Sequence, residues 1–219
     1  MIYSISEENY VKAIFHLTEN GKSASTNQLA EALKAKPASI TDMLKKLELK
    51  NLLHYEKYYG VTLTDNGKQL ALSIIRKHRL WEFFLVNKLN INWTEVHEIA
   101  EQLEHVKSNL LIEQLDKYLG YPDFDPHGDP IPDSKGNIKE QEKTKLTLAA
   151  KNTELEICSV NSRNADFLEM LEMKKLQIGT CISIIKQYSF DKSLDVKLNK
   201  KTVNISEQLA KNIYVKIKG

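Results

Sequence analysis

The sequence predicts a mainly α-helical chain with a small β portion. A winged helix-turn-helix is expected over residues 1–64, a helical portion over 65–136 and a small β-barrel over 145–219. Three observations predict this. Up to residue 64, three capped amphipathic helix patterns are followed by two short strand-like runs around a glycine turn. From 65 to 120 apolar residues recur at helical spacing. Beyond a stretch that holds four of the five prolines, the pattern changes to short alternating runs.

The 219 residues allow two small domains or one of ordinary size. An apolar content of 42% with 27% charged residues is that of a soluble globular protein. No apolar run is long enough to span a membrane, and Met1-Ile2-Tyr3-Ser4-Ile5-Ser6-Glu7-Glu8 lacks an export signal's basic-then-apolar order. A cytoplasmic protein with no membrane partner is expected. Cys158 and Cys181 then read as reduced, with a single disulfide as the alternative. The net charge of +2 is uninformative, but residues 34–57 carry six lysines against three acids, and residues 67–79 carry four basic residues and no acid. Local basic excess of this kind approaches phosphate without making the whole chain basic.

Ser6-Glu7-Glu8 opens the first helix with a cap and acids in its first turn. Tyr10, Val11, Ile14 and Leu17 give it an apolar face, and Gly21 stops it. Ser25 and Gln28 have capping-box spacing and start a second helix with Leu29, Ala30 and Leu33 inward. Pro37 suits the first position of a third helix, where Ile40, Met43, Leu44 and Leu47 follow at i, i+3, i+4 and i+7. The stretch from Leu52 to Thr64 reads as a hairpin turning at Gly60. This order is that of a winged helix-turn-helix, in which the third helix enters the major groove of double-stranded DNA and the wing reaches the adjacent backbone. Ser39, Thr41, Asp42, Lys45 and Lys46 on the third helix, with Lys57, Tyr58 and Tyr59 at the wing tip, are the expected DNA contacts. The competing reading is a partner-binding module of three helices and a hairpin with solvated lysines.

A long helix is expected from about Asp65 to Lys88, another from near Thr94 to about Lys107, and a third from Ser108 to Leu119, ended by Gly120. At roughly 100° per residue, His97, Glu101, Glu104 and His105 share one helix face. His78 and Glu82 lie one turn apart on the long helix. Imidazoles and carboxylates grouped this way are costly to bury without partners and suit a divalent metal with N and O ligands; a solvated charged face is the bland alternative. Leu110, Leu111, Leu115 and Leu119 exceed what one small core needs, and a homodimer interface is their expected use. His127, between Pro126 and Gly128, reads as a loop residue. In the C-terminal portion, strands are expected at Leu146–Leu148, Leu155–Ile157, Cys181–Ile185, Leu194–Val196 and Tyr214–Ile217, with one helix from Ala165 to Met173. A small barrel accommodates them economically.

Arg76-Lys77-His78-Arg79-Leu80 with Glu82, Val96-His97-Glu98 running to Glu101-Gln102-Leu103-Glu104-His105-Val106, and Asp125-Pro126-His127-Gly128-Asp129-Pro130-Ile131-Pro132 carry a resemblance. The chain resembles the metal-dependent repressors of the diphtheria-toxin-repressor type, which include the iron-dependent regulators and the manganese transport regulators. The wing from Tyr55 to Thr64 is similar to the manganese branch, and the C-terminal segment to the SH3-like barrel of ferrous-iron transport accessory proteins. The resemblance implies repression of metal-uptake genes by a homodimer bound to a double-stranded DNA operator, with Mn²⁺ or Fe²⁺ as cofactor and up to two ions per subunit. It implies a gating position of Glu101, Glu104 and His105 with Asn9, and an ancillary position of His78, Glu82 and His97. Asn161 and Asp166 are further ligand candidates from the barrel. Ion binding at the gating position would fix the first helix and thereby the spacing of the two recognition helices.

Two departures bear on the metal. Iron-type members tend to have a cysteine where Glu101 stands, and the resulting thiolate-free set suits a hard ion. Manganese members usually have an aspartate where Asn9 stands, and some a carboxylate where Lys12 stands; an amide brings no charge, and a cationic lysine cannot ligate. An enzyme is not expected, since no nucleophile–base constellation, phosphate loop or paired Glu-x-x-His motif is present. Two alternatives remain: a winged-helix regulator that has lost metal control, and an adaptor that binds no DNA and acts through the C-terminal barrel.

Overall fold

The structure, a computed structural model, describes residues 3–19, 21–56, 59–162 and 164–218. The chain forms two compact units, each discontinuous in sequence. The first comprises Met1–His78, Glu101–Gln114 and Pro132–Ile138; the second comprises Arg79–Ala100, Leu115–Ile131 and Lys139–Gly219.

In the first unit, α1 (Ile5–Thr18), α2 (Thr26–Ala32) and α3 (Pro37–Leu49) precede a hairpin of β1 (Leu53–Glu56) and β2 (Gly60–Leu63). The cap of α1 is Ser4 rather than Ser6, because Ser4 and Glu7 close a reciprocal capping box two residues earlier. Ser25 and Gln28 make the expected capping box, and Pro37 sits in the first turn of α3. The hairpin pairs Leu53 with Leu63 and Tyr55 with Val61, which puts Leu53, Val61 and Leu63 on the buried face. They pack with Val11, Ile14, Leu29, Ile40, Leu44 and Leu47 in one core. This core places the exposed face of α3 and the wing outward.

A long helix, α4 (Asp65–Asn87), passes from the first unit into the second. It is followed by α5 (Val96–Leu103) and α6 (Asn109–Leu119). The helix expected to run to Lys107 ends four residues sooner, so Glu104 and His105 lie in the turn after α5, not on its face. Ser108 caps α6 by accepting the Leu111 N–H at 3.2 Å.

The second unit contains β3 (Thr144–Lys145), β4 (Leu155–Val160), α7 (Ala165–Met173), β5 (Cys181–Gln187), β6 (Leu194–Leu198), β7 (Lys201–Ile205), α8 (Glu207–Ala210) and β8 (Ile213–Ile217). The strands form one antiparallel sheet in the order β3-β8-β4-β5-β6-β7. Among the described residues no pairing joins the edge strands β3 and β7, so the expected barrel is an open sheet. Leu146–Leu148, expected as a strand, is a single 3-10 turn that leaves β3 only two residues long. β7 was not among the expected strands, since only two of its five residues, Val203 and Ile205, are apolar and turned toward the core. Ile157, Val160, Leu168, Leu171, Ile184, Val196 and Val215 form the core. The pairing of β4 with β8 slips between Ile157 and Ser159, a bulge at Cys158.

Candidate metal centres and DNA-binding surface

In the second unit the site is built on the turn at residues 125–129. Asp125 Oδ1 accepts the backbone N–H groups of His127 at 2.8 Å and Asp129 at 3.0 Å, and the Gly128 N–H donates to the Asp125 carbonyl at 3.0 Å. The His127 carbonyl in turn accepts the Val160 N–H at 3.0 Å. His127 is therefore no solvent-facing loop residue: it is 0% exposed. Its ring stacks on Trp93, with centroids 5.6 Å apart, and its Nε2 lies 3.2 Å from the Trp93 carbonyl.

A carbonyl can only accept, so Nε2 is the nitrogen that donates and Nδ1 is the one left to face a ligand. Nδ1 is buried, makes no hydrogen bond among the described residues, and lies 3.6 Å from Glu82 Oε2 and 4.0 Å from Asp125 Oδ1. The other Glu82 oxygen is 3.1 Å from His97 Nδ1. One ligand atom from each of Glu82, Asp125 and His127 falls within 4.8 Å of the others, and all three residues are buried. Arg79 approaches Asp125 and Asp129 at 3.9 Å and hydrogen-bonds the Pro130 carbonyl. An imidazole fixed by a carbonyl behind it, facing two buried carboxylates, fits a divalent ion. With no thiolate in the set, the donors match Mn²⁺ or Fe²⁺.

Of the expected ancillary residues, Glu82 and His97 thus meet within this unit, and Asp125 and His127 are the members that sequence reasoning passed over. The signal available was the string Asp125-Pro126-His127-Gly128-Asp129, two acids flanking a histidine in a turn. Asn161 and Asp166 are exposed and join no such cluster among the described residues.

In the first unit, His78, one turn before Glu82 on α4, places Nδ1 2.6 Å from Glu104 Oε2. Glu104 is 0% exposed. Lys12 Nζ contacts both of its oxygens, at 2.6 and 2.8 Å, and lies 3.7 Å from Glu101 Oε1. Burial alone would push the Glu104 carboxyl up, but the hydrogen bond to His78 and the Lys12 ammonium outweigh it and hold the group below the usual carboxylate range. His105 Nδ1 is 2.5 Å from Glu8 Oε2. Glu8, not Asn9, is therefore the α1 residue facing His105; Asn9 is half-buried, and its side chain makes no hydrogen bond or ion pair among the described residues. Glu101, Glu104 and His105 do gather here, but the ammonium already sits on the carboxylate a metal would need. With Lys12 seated there, the set does not fit a divalent ion.

On the expected DNA-binding surface, Ser39, Asp42, Lys45 and Lys46 are exposed on α3, and Thr41 is half-buried with its hydroxyl donating to the Pro37 carbonyl at 3.3 Å. Lys46 lies 3.1 Å from Glu7, and Tyr59 is 78% exposed at the wing. Lys57 and Tyr58 lie outside the described residues. No described helix is long and apolar enough to cross a membrane.

Comparison with known proteins gives three family matches. Residues 3–61 match the family described as "Iron dependent repressor, N-terminal DNA binding domain", and residues 64–133 match "Iron dependent repressor, metal binding and dimerisation domain". Residues 144–217 match the FeoA domain. The chain is 33% identical over 138 residues to the HTH-type transcriptional regulator MntR of Oceanobacillus iheyensis, a match covering 63% of this chain and 92% of that protein. It is 34% identical over 125 residues to the iron-dependent repressor IdeR of Mycobacterium tuberculosis, covering 57% of this chain and 54% of that repressor. The chain thus spans about half the length of the IdeR relatives it matches. A solved structure described as a manganese-dependent transcriptional repressor in complex with manganese superposes with a TM-score of 0.84 at 29% identity, covering 97% of this chain and 100% of that one.

Proposed function

Because the chain belongs to the iron-dependent repressor family of metal-dependent regulators, we propose that it is a DNA-binding transcriptional repressor that responds to Mn²⁺ or Fe²⁺ and controls metal-uptake genes. The observation that carries the metal dependence is the buried His127 Nδ1 facing Glu82 and Asp125, with Nε2 held against the Trp93 carbonyl. Glu82 and Asp125 would hold the ion through oxygen and His127 through Nδ1, with His97, one of the expected ancillary residues, beside Glu82. A bound cation would add positive charge among these buried carboxylates. It favours the DNA-binding state only to the extent that it binds that state more tightly than the alternative.

In this reading residues 1–64 bind DNA through Ser39, Thr41, Asp42, Lys45, Lys46 and the wing, residues 65–136 hold metal and dimerise, and residues 145–219 form the FeoA-type unit. Leu110 at 67% and Leu111 at 44% exposure on α6 support a homodimer contact. The protein acts in the cytoplasm as a regulator and not as an enzyme. The test is binding to DNA from the protein's own upstream region, followed by fluorescence anisotropy under anoxic conditions with Mn²⁺, with Fe²⁺ and with a chelator. Binding that appears with metal and is lost on chelation is expected. Equal binding in all three conditions would refute metal control, and no binding in any would refute the repressor reading.

A further inference from the structure

Glu8 and Lys12 lie one turn apart on α1, and both are aimed at residues 101–105: Glu8 at His105, Lys12 at Glu104. The Lys12 side chain is 15% exposed and its partner carboxylate 0%, so the pair is largely withdrawn from water. It touches both Glu104 oxygens and stands 3.7 Å from Glu101, so one cation is shared between two carboxylates. A short pair of this kind is charge-assisted, and it lowers the cost of burying Glu104 as a metal ion would. The difference is the covalent tether. The local concentration of this ammonium is set by the chain and not by the medium, so no chelator removes it.

Resting on the metal-regulator reading above, we propose that Lys12 is a built-in cation that takes the place of a divalent ion between Glu104 and Glu101. It leaves metal to the Glu82, Asp125 and His127 set, and it holds α1 on residues 101–105 whether or not metal is present. A divalent ion entering beside Glu104 would have to expel the ammonium or stand against like charge. Attachment of α1 then no longer reports metal level, and control passes to the other centre.

The experiment uses the full chain, stripped with chelator and equilibrated with Mn²⁺ alone, with bound metal counted by elemental analysis after dialysis. The wild type should hold one equivalent and Lys12→Ala two. A wild type holding two, or a Lys12→Ala chain holding one, would overturn the proposal. A wild type holding none would instead strike the metal-regulator reading. A second measurement needs no variant: reductive methylation read by mass spectrometry. Lys12 should stay protected to the same degree in chelator and in saturating Mn²⁺, while exposed Lys45 reacts in both. Exposure of Lys12 to the reagent on adding Mn²⁺ would show displacement by metal and overturn the proposal.

Discussion

Replacing Gly128 with alanine should unfold the second unit at a markedly lower temperature and weaken its hold on Mn²⁺. Gly128 has φ +83°, and a Cβ built on it would lie 2.0 Å from the Cys158 carbonyl oxygen, 2.7 Å from Ser159 Cα and 2.8 Å from the Cys158 carbonyl carbon. The left-handed backbone costs an alanine about 1 kcal/mol. The contact with the Cys158 oxygen falls 1.4 Å short of the 3.4 Å at which ordinary contact begins. All three contacted atoms are β4 backbone at the bulge, which cannot swing aside as a side chain would, so overpacking belongs at the upper end of about 1–3 kcal/mol. The total is about 4 kcal/mol, or roughly 10 °C in a chain of this size.

Gly179→Ala is the internal control. Its φ is +85°, and its Cβ would meet nothing within 4 Å, so only the backbone contribution applies, about 1 kcal/mol and roughly 3 °C. Scanning calorimetry of both variants, followed by Mn²⁺ titration, isolates the clash. Because the 128 turn also carries His127, whose carbonyl accepts the Val160 N–H, metal affinity should fall in Gly128→Ala and hold in Gly179→Ala. A Gly128→Ala chain that melts no lower than the Gly179→Ala chain would refute the packing of this turn against β4.

Two further outcomes follow from the first unit. Lys45→Ala should weaken binding to all DNA sequences alike and reduce the slope of log affinity against log salt by about one; an unchanged slope would remove α3 from the phosphate contacts. Burial would raise the Glu7 carboxyl, yet hydrogen bonds from Lys50 and the Ser4 N–H, with Lys46 beside them, bring it from its ordinary 4.5 down to about 2. Its folded value is depressed, so its stabilisation is present above about 4.5 and is lost as pH falls from there toward 2. Urea midpoints across that window should converge for wild type and Glu7→Gln at the acid end; parallel curves would show that Glu7 contributes nothing.

The elements that local chemistry decides were legible. Ser25 with Gln28, Pro37 and the alternation around Gly60 each fix a start or a turn within a few residues, and the structure has them there. What long-range contacts decide was not legible. Helical phase carried α5 through His105, whereas contacts of Glu104 with Lys12, at a separation of 92 residues, and of His105 with Glu8, at 97, accompany its end at Leu103. His127 looked like loop because its neighbours are Pro126 and Gly128; its burial comes from Trp93, 34 residues upstream, and from β4. Asn9 entered through family resemblance, and the structure turns its neighbour Glu8 to His105 instead. Lys12 was visible as a departure, but its 2.6 Å contact with Glu104, 92 residues away, was not.

The central claim is that the buried set in the second unit senses metal. The most direct measurement is the Mn²⁺ midpoint for binding to the upstream DNA, compared between wild type and His127→Ala. Loss of an outer partner of a ligand already costs 10–100-fold in metal affinity, so removal of the imidazole itself should raise the midpoint by at least about 100-fold. DNA affinity at saturating Mn²⁺ should remain near that of the wild type. A His127→Ala midpoint within about twofold of the wild type, a change too small for the loss of a ligand, would contradict the account.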